Sequence, residues 1–525
     1  LRLVPDDSGI CLLVQNLRDH AQSLQQSPFA ERLAASSIGK LFRDSPEAKK
    51  LAELDKQLKE RLNITWAELR DDILGDAVVL AYTPGPPDKP EQEQGLLIVH
   101  ARNPNLLAAL IDRLNEMQRQ SGELRTVETR QFDGSSYVRR EKKVGEEFYA
   151  VRGSLLVFSD SEARLQKALE RDGSRPAADK ETPNQTRQLQ ALGVEQNFVT
   201  LWVNPRAFDE AIKQQVAVVR GTDATALKTF QASWSAISGA ALSVKLDRDF
   251  ALTAVMHGRF NTLPASVRKT LDAARKPTAV WSAFPDDALM IAVGRVPWDA
   301  DTGAAAQAAG FFGRNVLENL LRQLGPEWGV CVIGPKPEAK SIAPAVLVAV
   351  QLSAGLDQSR VIDALDSLVR ITLFGINNQQ APRWRLSQIK QGPVDIRVVE
   401  GPNAPPELRP AFAWKAGYLV FASTPDAIQR FDPRPVADPA TGEIPVARLS
   451  FTGWANYLKS YRMPLAVWAA ETHRLNVTDV NVRLDRLIDA LELFDTMEAT
   501  QKIEPNRAAV TLRLRTAASL QTAPK

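Results

Sequence analysis

The chain has 525 residues, 44% of them apolar and 24% charged, with a formal net charge of +3. That length predicts two to four domains with a sizeable core. The small charge, with no long basic run and no aromatic–basic interleaving, argues against nucleic acid as a partner, and no stretch approaches the roughly 18 apolar residues of a membrane-spanning helix.

In chain order, the spacing predicts a strand at Ile10–Val14 and helical material over 17–72. Strands follow at Ala77–Tyr82 and Gly95–His100. They are joined by TPGPPDKPEQEQ, whose four prolines bar it from a strand or helix interior. Asn105 is expected to cap a helix whose apolar stripe is Leu106, Leu107, Leu110, Ile111, Leu114 and Met117. Short strands are expected at Arg125–Gln131, Ser135–Arg140, Phe148–Val151 and Ser154–Ser159, with tight turns at Asp133-Gly134 and Arg152-Gly153. A helix over 161–171, a polar linker over 172–186 and a hairpin of Ala240–Leu246 with Phe250–His257 complete this half.

The second half repeats this order. Pro5-Asp6-Asp7 returns as Pro285-Asp286-Asp287, each just ahead of an apolar run. GDAVVLAYTPGPP (75–87) matches PEWGVCVIGPKPE (326–338) at an offset of 251, which holds through GLLIVH against VLVAVQ. LVFSDSEARLQ (156–166) matches LVFASTPDAIQ (419–429), and RPAAD (175–179) matches RPVAD (434–438). LWVNPRAF (201–208) resembles LSFTGWAN (449–456), and a second closing hairpin is expected at Thr496–Ile503 with Ala508–Arg515. A constant order with offsets that drift in loops predicts a tandem duplication. The expected copies are 1–276 and 277–525, the first carrying an extra helical segment at about 45–72. Tight turns between consecutive strands require antiparallel pairing. The predicted fold class is therefore α+β, a curved antiparallel sheet with helices on one face, built twice.

The chemistry is sparse. There is no G-x-S-x-G elbow, phosphate loop, H-E-x-x-H or helix-opening G-x-G-x-x-G. The histidines, His20, His100, His257 and His473, form no local ligand pair, so neither a metal nor a cofactor is expected. Cys11 and Cys331 each lie in a strand-like apolar run, which favours buried free thiols and leaves a bridge as the alternative. The sequons at Asn63, Asn184 and Asn476 matter only in a eukaryotic secretory setting. Asp71, Asp72 and Asp76 gather carboxylates that could serve acid–base work or a divalent cation, although Asp is also a common turn residue. Glu327 is the only acid at the corresponding place in the second copy. Asp6-Asp7 and Asp286-Asp287 occur in both copies, which favours a structural role as Asx-turns orienting the first strand.

Taken together, the Pro-Asp-Asp opening, GDAVVLAY, GLLIVHARNPNLLAALIDRLN and YAVRGSLLVFSDSEARLQKAL resemble a family of exported bacterial proteins catalogued as a domain of unknown function. The resemblance implies an exported, extracytoplasmic location with a signal peptide or membrane anchor upstream of Leu1, and it implies no activity. The expected function is non-enzymatic binding or scaffolding in the cell envelope, with an envelope protein, peptide, glycan or lipid as partner. Carriage of a lipid or other apolar ligand, and a hydrolase built on Asp71, Asp72 and Asp76, are the alternatives.

Overall fold

A computed structural model describes residues 1–173, 184–218, 222–297, 323–335, 342–353, 355, 357–379, 383–401, 408–434 and 442–520. RPAAD, most of RPVAD and the middle of the 172–186 linker lie outside these residues. The chain divides into two compact units, Leu1–Pro264 with Glu504–Lys525, and Ala265–Ile503. The division expected at residue 276 therefore falls at Pro264, and the chain's last strand changes sides. The helix Ala265–Ala274 belongs with the second unit, where the Gln501 side-chain amide donates to the Ala274 carbonyl at 2.8 Å. Among the described residues no helix is long and apolar enough to cross a membrane.

The strands of the first unit are β1 (Ile10–Gln15), β2 (Ala77–Thr83), β3 (Gln94–His100), β4 (Leu124–Phe132), β5 (Ser135–Lys142), β6 (Glu146–Arg152), β7 (Leu155–Ser159), β8 (Val199–Val203), β9 (Ile237–Leu246) and β10 (Phe250–Gly258). All pairings are antiparallel, in the order β4-β5-β6-β7-β3-β2-β1-β8-β9-β10. The last strand, Arg507–Thr516, adds to β10 in the register Phe250↔Leu514 to His257↔Arg507. Asp133 and Gly134 both sit at positive φ, 46° and 71°, as a two-residue hairpin turn requires.

The helical segment before β2 is broken where its sequence says it should be. Ser45 caps α1 (Pro46–Leu62), accepting from the Ala48 amide at 3.2 Å, and Asn63 ends it in the left-handed region. Helix α2 (Pro104–Gln120) is capped by Asn103, which accepts from the Leu106 amide at 3.1 Å. The cap expected at Asn105 moves back because Pro104, lacking an N–H, takes the first helical position. Helices α3 (Glu162–Gly173) and α4 (Asn184–Leu192) follow β7.

At β3 helices pack on both faces of the sheet, where the sequence reading placed them on one. Along β3, Leu96 and Ile98 join the core that includes Leu165 and Leu169 of α3 and Leu189 and Leu192 of α4. Leu97 and Val99 point the other way, into a core with Ile64, Ile73 and the α2 residues Leu107 and Leu110. A run such as LLIV is apolar at both parities, which is the pattern of a strand covered on each side.

The second unit contains β11 (Met290–Arg295), β12 (Leu324–Ile333), β13 (Ala345–Leu352), β14 (Arg385–Gln391), β15 (Val394–Glu400), β16 (Ala411–Lys415), β17 (Tyr418–Ala422), β18 (Ile444–Ser450) and β19 (Phe494–Ile503). Their order, β14-β15-β16-β17-β13-β12-β11-β18-β19, repeats that of the first unit from β4 through β9. Helix α5 (Gln358–Gln379) packs through Val361, Ile362 and Leu365 on Leu352 and Leu419, and α6 (Pro425–Gln429) on the opposite face through Ala427 and Ile428.

The shared order corrects one alignment. Ile10 faces Tyr82, and Met290 faces Val332, so β12 matches β2 at an offset of 250 rather than 251. Burial agrees: Ala81 then matches Cys331, both facing the core, whereas an offset of 251 would set Cys331 against the exposed Leu80. Glu327 consequently corresponds to Ala77, not to Asp76.

Candidate functional site

Each Pro-Asp-Asp turn closes through its backbone, with the Ser8 amide donating to the Pro5 carbonyl and the Ala288 amide to the Pro285 carbonyl, both at 3.1 Å. The carboxylates, expected to make Asx-turns, reach across the fold instead. Asp7 pairs with Arg164 of α3, which is completely buried, and with Lys167 at 3.3 Å. Arg164 also donates to the Ser8 hydroxyl at 2.6 Å. Asp6 accepts from Arg171 at 2.9 Å and from Gln185 at 3.1 Å, and the Arg171 hydrogen bonds hold its carboxyl below the usual range. In the second unit Asp287 pairs with Arg430. The motif ties the start of the first strand to the helix that follows β7 or β17.

The acids Asp71, Asp72 and Asp76 do not converge on a shared point. Asp71 is held by Arg70 at 2.6 Å, which depresses its carboxyl, and Asp76 by Arg102 at 3.0 Å and His100 at 3.3 Å. Asp72 uses its carbonyl to accept from the amides of Arg102 and Asn103 just ahead of α2. Glu327 is buried and accepts from Arg295, from the Ala279 amide at 3.0 Å and from the Tyr418 hydroxyl at 2.8 Å. Burial, then Glu327 itself, raises the Tyr418 hydroxyl well above its ordinary pKa. Among the described residues no group of three or more His, Cys, Asp or Glu is placed to hold a metal ion. Cys11 and Cys331 are free and buried, and desolvation pushes their thiols up to about 11 and about 12. Neither supplies a thiolate at neutral pH.

What no motif pointed to is a sheet face. On the side of the first unit's sheet away from α3 and α4, three cross-strand rows run over β2, β1, β8, β9, β10 and the last strand. One row is Tyr82, Ile10, Val203, Ala240, Met256 and Ala508. The next is Leu80, Leu12, Leu201, Leu242, Ala254 and Val510. The third is Val78, Val14, Val199, Val244, Leu252 and Leu512. None of these side chains is buried, and Leu80, Leu242, Met256 and Val510 are between 41% and 51% exposed. The uncovered face of an antiparallel sheet ordinarily alternates to polar. Here the only polar atom in the three rows is the Tyr82 hydroxyl, which donates to Glu93 at 2.8 Å. The signal was present in ICLLV and AVVLAY, apolar at both parities, but only the register sets the rows side by side.

No family model matches the chain, and no curated protein does. Two solved structures are similar to it over 49% of its length. Crystal form III of TP0453 is 12% identical, with 78% of that chain covered and a TM-score of 0.24. Crystal form I of TP0453 is 11% identical, with 77% covered and a TM-score of 0.24. Likeness at that level carries no argument about fold or function.

Proposed function

We propose that the protein is a non-enzymatic binding protein of the bacterial cell envelope, exported and built by duplication, whose first unit takes an apolar ligand of the acyl-chain class on its open sheet face. The three uncovered aliphatic rows are the observation that carries this reading. Aliphatic side chains with almost no hydrogen-bonding group suit a hydrocarbon chain. A protein partner is ordinarily met by Trp, Tyr or Arg anchors within a mixed polar surface. The shared strand order of the two units supports the duplication, and the arginine held by each of Asp71 and Asp76 speaks against the hydrolase alternative.

The test is uptake of a fluorescent long-chain fatty acid, alongside organic extraction of the purified protein. Wild type should bind saturably, and Leu242→Glu, a charge placed mid-face at an exposed position, should weaken binding at least about tenfold. The variant should keep the wild-type melting temperature, because Leu242 is 45% exposed. No uptake and no extractable lipid from wild type would refute the proposal.

A further inference from the structure

The first unit's sheet ends at β4, at the opposite end from the aliphatic rows. Among the described residues the only strand paired with β4 is β5. The Asp133-Gly134 turn fixes which backbone groups of β4 are free. Phe132 faces Ser135 across that two-residue turn, so the two exchange hydrogen bonds. Bonding alternates from there, and Val127, Thr129 and Gln131 turn their N–H and C=O groups away from β5. These groups make no other backbone hydrogen bond among the described residues. Helix α2 lies over the strands further in, where Asn115 donates to the Tyr149 hydroxyl of β6 at 3.1 Å and Gln118 meets Arg140 of β5. Thr126, Glu128, Thr129 and Gln131 are exposed. A bare edge is a template for another strand, and bulges, lysines or prolines ordinarily guard it. Here the ladder slips only at Arg125, and 126–132 runs in unbroken register.

The side chains select the strand that fits. A second β4, laid antiparallel about a two-fold axis at Thr129, sets Val127 opposite Gln131 and Thr129 opposite itself. All three outward-facing residues then meet outward-facing residues, with two N–H···O=C bonds exchanged in each pair. The same register sets Glu128 opposite Arg130, once on each side of the axis. Moving the axis by one residue sets Glu128 against Glu128 or Arg130 against Arg130, and like charges directly opposite are destabilising. Glu128 now pairs with Arg139 at 3.2 Å, and Arg130 with Glu162 of α3 at 2.7 Å. The second strand therefore extends an alternating row of charges across the axis. The matching edge in the second unit differs. Strand β14 carries only Arg385 and Lys390 as charges, so it repels a copy of itself.

We propose that the protein self-associates by pairing β4 with β4 of a second copy, antiparallel and centred on Thr129. One pair of edge strands buries less than a standard interface, which sets the expected dissociation constant at about 10–100 µM. Sedimentation velocity of the full chain should show a monomer–dimer equilibrium between about 1 and 500 µM. Glu128→Arg and Arg130→Glu should each weaken it at least about tenfold. An equimolar mixture of the two variants should recover it, because every facing 128–130 pair is then of opposite charge. Air oxidation reads the register. Thr129→Cys should give a disulfide-linked dimer, since facing hydrogen-bonded residues have Cα atoms about 5.5 Å apart. Gln131→Cys should not, because it faces Val127. The native Cys11 and Cys331 are buried. A wild type that stays monomeric to about 500 µM, a mixture no more associated than its components, or equal cross-linking of Gln131→Cys and Thr129→Cys would each overturn the proposal.

Discussion

Replacing Arg295 with Met should destabilise the protein by about 3–5 kcal/mol, as should replacing Glu327 with Leu, while the double variant should lose far less than the sum. Glu327 is 6% exposed and faces Arg295 directly across the β11–β12 ladder. Removing the guanidinium leaves a carboxylate whose remaining partners among the described residues are the Ala279 amide and the Tyr418 hydroxyl. Removing the carboxylate strands a largely buried cation, whose other contact is the Pro277 carbonyl at 3.3 Å, and takes the acceptor from the buried Tyr418 hydroxyl. With both charges gone, the desolvation cost of each disappears along with their attraction, and what remains to be lost is chiefly the hydrogen bonds of Tyr418 and Ala279. Urea denaturation of the four proteins, read as a double-mutant cycle, measures the difference. Additive losses would show that the two side chains act separately.

Glu327 also shows where the sequence stops being informative. Strand positions were legible because apolar periodicity and Gly-containing turns are local, and the observed strands fall within a few residues of those expected, as at Ala77–Thr83 and Gln94–His100. Local patterns do not fix which strand lies beside which. The one-residue slip between β2 and β12 set Glu327 beside Asp76 on paper, when one lies in a buried ladder position and the other at a half-exposed loop with Arg102. The same limit hid the aliphatic face, which is assembled from residues as far apart as Ile10 and Val510. It hid the pairing of the last strand with β10. The Asp71–Asp76 cluster shows the same limit: proximity along the chain does not reveal that Asp71 pairs with Arg70 and Asp76 with Arg102.

The two Pro-Asp-Asp motifs, nearly identical in sequence, should respond very differently to the same substitution. Asp7→Asn should cost about 2–3 kcal/mol, less than a fully buried pair because half of the Asp7 side chain is exposed. Asp287→Asn should cost no more than about 1 kcal/mol, since Asp287 is 71% and Arg430 25% exposed. The cause lies in the partner helix. The residue matching Lys167 in the second unit is Arg430, and both reach their aspartate from a wetter position. The residue matching the fully buried Arg164 is Ala427, also buried, so the second unit has no guanidinium there to abandon. The pH dependence carries a sign. Desolvation raises the Asp7 carboxyl, but Arg164 and Lys167 outweigh it and hold the group below its ordinary value. Its contribution is therefore complete above about pH 4, where the unfolded carboxyl is ionised, and is lost as pH falls through the depressed folded value. Urea midpoints of wild type and Asp7→Asn should differ most at neutral pH and draw together in acid. A gap that persists unchanged at low pH would mean that Asp7 acts through packing and not through its charge.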